Sequence, residues 1–126
     1  MDSQIRKQLV SGATLLFLAV LFGAFGAHGL KQFVSPEKLI TFETGVRYQF
    51  YHSFGIILLA LTKKSFPEIK LNSSFICFVL GIIFFSLNCY LYVLTDIKFF
   101  AMIIPIGGLL FMTGWMFFAW NALRLR

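Results

Sequence analysis

The stretch ETGVRYQFYHS, residues 43–53, decides how this chain is arranged. It leads into the shortest of four runs without Asp, Glu, Lys or Arg, which cover residues 8–30, 48–62, 71–95 and 99–123. The other three runs are 23 to 25 residues long, enough to cross a bilayer as a helix. The run 48–62 reaches only roughly 22 Å at ~1.5 Å per residue, against a hydrocarbon core about 30 Å thick. A second span therefore either stops short or draws the polar stretch into the membrane.

The polar side chains of this stretch form a candidate site. Polar groups at membrane depth are costly and generally face protein, water or a ligand. At ~100° per residue they spread over about two-thirds of a helix circumference, so we expect other helices or another subunit to surround this turn. Glu43 precedes Arg47 by four residues, the order that favours a helical ion pair. The candidate polar site comprises His28, Glu43, Arg47, Tyr48, Gln49, Tyr51 and His52.

Composition indicates a membrane protein. The 126 residues are 59% hydrophobic and 13% charged, with a mean hydropathy of +0.84. A soluble domain of this size could not cover so much apolar surface. The net charge of +6 comes from basic residues at the ends of the apolar runs, where topology signals and anionic-lipid contacts place them. There is no basic helix or basic–aromatic cluster, so we expect no nucleic acid as a partner.

The pattern predicts an all-α fold: a four-transmembrane-helix bundle with a short interfacial helix before helix two. Ser35, Pro36 and Glu37 suit an N-cap, a first helical position and an acidic first turn. Gly45 is predicted as a bend, and Pro105 as a kink or break. A single integral membrane domain over residues 1–126 is expected, with helices at about 8–28, 36–62 with a bend near 45, 74–94 and 98–123 kinked at 105.

Small residues at helical spacing predict close helix contacts. Ala19, Gly23 and Ala27 follow one another at four-residue intervals in helix one, as in small-xxx-small faces. Asn88 lies on the expected inward face of helix three, and its amide is predicted to bond to another helix. The predicted helix-packing residues are Ala19, Gly23, Ala27, Gly81, Asn88, Gly107, Gly108 and Gly114.

The residues that flank the spans predict the topology. Seven of the eleven Lys and Arg residues lie at the N-terminus, the loop after helix two and the C-terminus, and four lie on the other side. This bias predicts that both termini are cytoplasmic. Asp96 is expected to cap the start of helix four. Trp115, Trp120 and Tyr92 suit the interfacial aromatic belts.

Two histidines offer the most reactive groups. Because helices one and two are antiparallel, His28 and His52 are both expected near the outer membrane boundary, where they could ligate haem or a metal, or relay protons. A third ligand is not evident apart from Glu43 and the tyrosines, and a hydrogen-bonded structural role is the alternative. There is no G-x-S-x-G, Walker loop or pair of catalytic carboxylates. We expect neither catalysis nor a bound metal or cofactor.

Four motifs of the chain resemble those of one family. They are GAFGAHGLK at 23–31, ETGVRYQFYH at 43–52, FS at 85–86 followed by YLY at 90–92, and PIGG at 105–108 with GW at 114–115. They resemble the YgdD/YwdK-type small inner-membrane proteins, a family with a domain of unknown function and four transmembrane helices. The resemblance covers nearly the whole chain and implies a bacterial inner-membrane protein, but no reaction or cofactor. The chain departs from the family at Leu87, Asn88 and Cys89, where smaller residues are usual.

Two functions remain open from the sequence. The first is a non-enzymatic accessory or interaction subunit of the inner (plasma) membrane, whose partners are the lipid bilayer and either a second copy or another membrane protein. The second is a protein that binds or transports a small molecule, such as a lipid headgroup or a quinone. Its polar site would lie at the outer end of helices one and two, with Arg47, Tyr48 and His52 as contacts.

Overall fold

The computed structural model describes residues 1–126 and contains helices but no strands. The helices, numbered first to fourth below, are Ser3–His28, Pro36–Ser65, Asn72–Thr95 and Lys98–Leu123, with a 3₁₀ turn at Leu30–Gln32. By length and composition, the first, third and fourth helices are apolar enough to cross a membrane. The predicted all-α fold is therefore confirmed.

Neighbouring helices run antiparallel along the whole bundle. Gly12, early in the first helix, lies beside Ser53 of the second. Gly26, late in the first helix, lies beside Phe42, which is early in the second. Contacts between the second and third helices and between the third and fourth follow the same inverse order. Both chain termini and the loop after the second helix therefore lie at one end, termed the terminal end, opposite the far end.

Small residues bring the first helix close to the second. Ala19 is fully buried, and a Cβ atom added at Gly26 would lie 3.0 Å from the Phe42 ring. Ala27, which the predicted stripe placed at this contact, is exposed. Gly26 occupies the contact instead. The seam runs through Ala19, Gly23 and Gly26, at intervals of four and three residues. This alternation follows the 3.5-residue period of left-handed helix packing rather than a four-residue stripe.

Glycines also allow the third and fourth helices to pack tightly. A Cβ atom added at Gly107 would lie 2.6 Å from Cβ of Phe85, and Gly81 lies directly beneath the Phe111 ring. Gly108 differs, because the nearest atom to an added Cβ is 3.9 Å away. The glycines buried in this interface are Gly81, Gly107 and Gly114. Gly108 is therefore not required for helix approach, although the sequence pattern grouped it with them.

The third helix widens into a π-helical turn at Ile82–Leu87. The side-chain amide of Asn88 donates to the carbonyl oxygens of Ile83, at 3.1 Å, and Phe84, at 3.0 Å. A π turn disturbs the regular backbone ladder, and a nearby side-chain donor can satisfy the carbonyl groups that it leaves. Asn88 thus bonds within its own helix, and the predicted amide bond to another helix is wrong.

The second helix begins as its cap residues predict. The Ser35 hydroxyl oxygen accepts a hydrogen bond from the Lys38 N–H at 3.3 Å, and Pro36 is the first helical residue. The helix then continues without interruption to Ser65, through the segment predicted as interfacial. Gly45 lies within it, where an added Cβ would be 2.7 Å from Cβ of Cys89. Gly45 therefore allows the second helix to approach the third.

Two apolar clusters close the bundle. Toward the terminal end, the cluster contains Ile56, Leu59, Ile69, Leu71, Phe78, Ile82 and Phe111. Toward the far end, it contains Leu30, Phe42, Val46, Cys89, Tyr90 and Val93. Ile69 and Leu71 come from the loop after the second helix, and both are buried. The Lys63 ammonium holds that loop by donating to the carbonyl oxygens of Pro67, at 2.5 Å, and Ile69, at 2.9 Å.

Asp96 ends the third helix rather than capping the fourth. Its backbone is left-handed, with φ of 58°, and its N–H donates to the Tyr92 carbonyl at 2.8 Å. Its carboxylate lies 2.5 Å from the Lys38 ammonium at the start of the second helix. The hydrogen bond from Lys38, followed by the charge of that ammonium, holds the pKa of Asp96 below its usual value. The expected N-cap role is wrong, since the fourth helix starts after Ile97 without a side-chain cap.

Candidate functional site

The buried half of the polar stretch joins three helices. Gln49 is only 3% exposed, and its amide nitrogen donates to the Leu15 carbonyl of the first helix at 2.8 Å. Its amide oxygen accepts from the Tyr90 hydroxyl of the third helix at 2.7 Å. One turn earlier, the Gly45 carbonyl accepts from the Ser86 hydroxyl at 2.6 Å. These bonds satisfy polar groups that lipid could not solvate, and they set the position of the three helices.

His52 is buried and uses both ring nitrogens. Its Nδ1 lies 2.8 Å from the Tyr48 carbonyl oxygen, and its Nε2 lies 3.1 Å from the Trp115 indole nitrogen. An indole N–H can only donate, so Nε2 accepts and the proton sits on Nδ1, where it is donated to Tyr48. The ring stacks on Phe111 with centroids 3.5 Å apart and an interplanar angle of 7°. His52 is therefore a neutral link between the second and fourth helices, with neither nitrogen free to bind a metal.

The other half of the stretch opens on a groove between the second and fourth helices. The groove has a volume of about 690 Å³ and is termed the mid-height groove. Its walls include Tyr48, Tyr51, His52, Phe111, Met112 and Trp115. Phe111 lies midway along the fourth helix, and Tyr51 lies midway along the second. The groove therefore opens at half the height of the bundle, on a surface that faces lipid if the helices span.

The structure does not bring the two histidines together. His28 is exposed at the far end, two residues beyond the Gly26 contact with Phe42. His52 is ten residues after Phe42 in the same helix, or roughly 15 Å along its axis at ~1.5 Å per residue. The expectation that His28 and His52 both lie near the outer boundary is therefore wrong. It failed because the second helix begins at Pro36, twelve residues before its charge-free run. Residues 43–53 therefore lie within the bundle rather than at its far end.

Glu43 and Arg47 also lie apart from the groove. Both are exposed, and the Arg47 guanidinium donates to the Thr44 hydroxyl at 3.1 Å rather than pairing with Glu43. The ion pair expected from their four-residue spacing is therefore absent. Tyr48 and Tyr51, which are 38% and 56% exposed, are the hydroxyl-bearing residues that border the groove.

Two site residues were not found from the sequence. Trp115 was placed in an interfacial belt, yet it bonds to His52, 63 positions away. Tyr90 was not selected, and its partner Gln49 is 41 positions away. No local pattern encodes either pairing, because each depends on how two separate helices are aligned.

Metal-binding groups are scattered through the structure. No group of three or more His, Cys, Asp or Glu side chains comes together. Cys77 and Cys89 are both free and buried. The arrangement instead offers a lipid-accessible groove with hydroxyl groups at its edge and aromatic rings on its walls.

Comparison with known proteins identifies relatives across most of the chain. The family model described as "Protein of unknown function (DUF423)" matches residues 22–108. A UPF0382 membrane protein of Staphylococcus haemolyticus is 38% identical over 108 residues, which cover 86% of this chain and 88% of the relative. A UPF0382 membrane protein of Staphylococcus aureus is 39% identical over 107 residues, covering 85% and 87% of the two chains.

A third relative carries the cellular location in its name. The UPF0382 inner membrane protein YgdD of Escherichia coli is 31% identical over 121 residues, which cover 96% of this chain and 92% of the relative. No solved structure matches the fold. The apolar helices and these relatives together identify an integral membrane protein, and the chain belongs to the DUF423 family, whose members are named UPF0382 membrane proteins.

Proposed function

We propose that this protein is a four-span membrane protein that acts by association, as a non-enzymatic interaction subunit that pairs with a second copy of itself. The observation that carries the proposal is a seven-residue repeat of large apolar side chains on the outer face of the fourth helix. The buried polar groups support it, because His52, Gln49 and Ser86 are engaged in holding the helices together.

In this proposal the second helix also crosses the membrane, which brings the number of spans from three to four. That helix is less apolar than the others, but it is 30 residues long. Gly12 and Gly26 of the first helix contact it near both of its ends, and Gly45 packs it against the third helix. A helix enclosed by two apolar spans satisfies its polar side chains within the bundle and need not be apolar all round.

The proposal places both termini in the cytoplasm of an inner-membrane protein. Its support is the excess of Lys and Arg at the terminal end of the bundle. That end carries Lys63 and Arg124, while the far end pairs its Lys38 with Asp96.

The association face consists of four exposed residues: Met102, Leu109, Met116 and Leu123, which are 74%, 60%, 70% and 81% exposed. Their seven-residue spacing matches the seam of left-handed helix pairs, the commonest crossing in membrane bundles. Methionine adapts its shape to a partner surface more readily than branched side chains. A second copy presents the same repeat, so a two-fold pair of fourth helices is self-complementary.

Disulfide cross-linking in native membranes tests this pairing. Met116→Cys is introduced with Cys77→Ala and Cys89→Ala, which remove the two buried native thiols. Mild oxidation should yield a covalent dimer. Val10→Cys, at 60% exposure near the same end of the first helix, is the matched control and should stay monomeric. Equal cross-linking of both variants, or none from Met116→Cys, would overturn the proposed face.

A small-molecule site at the outer end of the first two helices is not proposed. That site needs Arg47, Tyr48 and His52, together with His28 of the first helix, around one ligand. His28 and Arg47 are exposed toward the far end, whereas both His52 nitrogens are already bonded within the bundle.

A further inference from the structure

The mid-height groove is open space between the second and fourth helices that no side chain fills. Gly108 borders it, and the nearest atom to a Cβ added there would be 3.9 Å away. The second and fourth helices meet through the side chains of His52, Phe111 and Trp115 rather than by close backbone approach. The bulk of these rings holds the two helices apart. The resulting space of about 690 Å³ is large enough for a ring-sized molecule and part of a chain.

Two hydroxyl groups at the groove have no acceptor within the protein. Tyr48 and Tyr51 pack edge to face, with ring centroids 5.6 Å apart, and neither hydroxyl makes a hydrogen bond to another residue. The other tyrosine hydroxyl at this depth, that of Tyr90, is bonded to Gln49. A hydroxyl in hydrocarbon without a partner costs several kcal/mol relative to water. The pair therefore favours a ligand that brings acceptor oxygens to this depth.

Depth restricts the chemical class of that ligand. The hydrocarbon core is about 30 Å thick, so its centre lies roughly 15 Å from the ester and phosphate groups of phospholipids. A phospholipid headgroup would have to leave its interface to reach Tyr48 and Tyr51. The acceptor must instead belong to a molecule that dissolves wholly in the membrane interior.

The walls of the groove favour a flat molecule. Phe111 is stacked on His52, and Tyr48 lies with its centroid 4.7 Å from that of Phe85. Planar aromatic faces bind planar rings by offset stacking. We propose that the mid-height groove binds a quinone, a flat ring that carries carbonyl acceptors and an apolar tail. The Tyr48 and Tyr51 hydroxyls donate to the carbonyl oxygens, and the tail lies along Met112 toward lipid. The site binds the quinone without changing its oxidation state, and it goes beyond the association function proposed above.

Tryptophan fluorescence tests this binding, because quinones quench indole emission and Trp115 borders the groove. Trp120→Phe leaves Trp115 as the only tryptophan. Decylubiquinone is titrated into this variant, purified in lipid nanodiscs. We expect saturable quenching of Trp115. Adding Tyr48→Phe and Tyr51→Phe keeps both rings and should weaken the apparent affinity at least tenfold.

Trp115→Phe removes one wall of the groove and leaves only Trp120, outside it, as the emitter, so it reports quinone dissolved in the lipid and should show linear quenching. Linear quenching of Trp115 as well would mean that lipid chains or nothing specific fill the groove, and it would overturn the proposal. Saturable quenching that is unchanged by the two Tyr→Phe substitutions would also overturn it, because the hydroxyls would then have no role.

Discussion

Trp115 donates its indole N–H to Nε2 of His52 over 3.1 Å, and this bond links the fourth helix to the second. The second helix otherwise contacts the fourth mainly through the stack of His52 on Phe111. The fourth helix packs closely on the third at Gly81, Gly107 and Gly114, and the His52 bond and stack add its link to the second helix.

Trp115→Phe should destabilise the bundle by about 1–2 kcal/mol, because it leaves a buried acceptor on His52 without a donor. Reversible unfolding in detergent micelles measures the change. Trp120→Phe is the control, since Trp120 is 55% exposed and its ring lies against the Arg124 guanidinium at the end of its own helix, so it should change stability by less than about 0.5 kcal/mol. Equal effects of the two substitutions would show that the His52 bond contributes nothing.

The bond from Tyr90 to Gln49 should appear as a coupling in a double-mutant cycle. Tyr90→Phe, Gln49→Leu and the double variant should give a coupling of about 0.6 kcal/mol, with an upper value of about 1.7 kcal/mol, as for other hydrogen bonds between membrane helices. Tyr51→Phe paired with Gln49→Leu serves as the control, because the Tyr51 hydroxyl has no protein partner and no coupling is expected. A Tyr90–Gln49 coupling indistinguishable from that control would contradict the 2.7 Å contact.

Two adjacent glycines should respond in opposite ways to alanine. Gly107→Ala places a methyl group 2.6 Å from Cβ of Phe85, so the third and fourth helices must separate, at a cost of about 1–3 kcal/mol. Gly108→Ala meets no atom closer than 3.9 Å and should leave stability unchanged or slightly raised. The same micelle unfolding assay decides between them, and similar losses from both would mean that the helix interface is not centred on Gly107.

The sequence predicted features that are set within one helix better than contacts between helices. Charge-free runs predicted the first, third and fourth helices, and Ser35 with Pro36 marked the start of the second helix correctly, because caps act over one turn. Partners across helices were missed. The π-helical turn at Ile82–Leu87 rotates the face of the third helix that carries Tyr90, and the pairing of Trp115 with His52 depends on how the second and fourth helices are aligned. Asn88 is buried, as its predicted inward face requires, but its amide bonds to carbonyl groups of that turn rather than to another helix.

The far-end ion pair should make stability depend on acid. Because the Lys38 ammonium lowers the folded-state pKa of Asp96, the pair stabilises the fold above the unfolded pKa of about 3.9 and loses this effect as pH falls through the lower folded value. Asp96→Asn retains a residue that accepts the left-handed backbone but removes the charge. The wild-type protein should be more stable than this variant at neutral pH, with the difference shrinking below about pH 4 and in high salt. A difference that is constant across this acid range would exclude the ion pair as its cause.

The same change from glutamine to leucine should have opposite signs at two positions. Gln8 is 0% exposed, and neither its amide nitrogen nor its amide oxygen has a hydrogen-bond partner, whereas both amide atoms of Gln49 are bonded. Burying unpaired polar atoms costs about 1–3 kcal/mol, so Gln8→Leu should stabilise the bundle by an amount of this order. Gln49→Leu should destabilise it, because the Tyr90 hydroxyl and the Leu15 carbonyl lose their partner. If Gln8→Leu is destabilising in micelle unfolding, its amide is hydrogen-bonded in the membrane, and water at the terminal end is then the partner to look for.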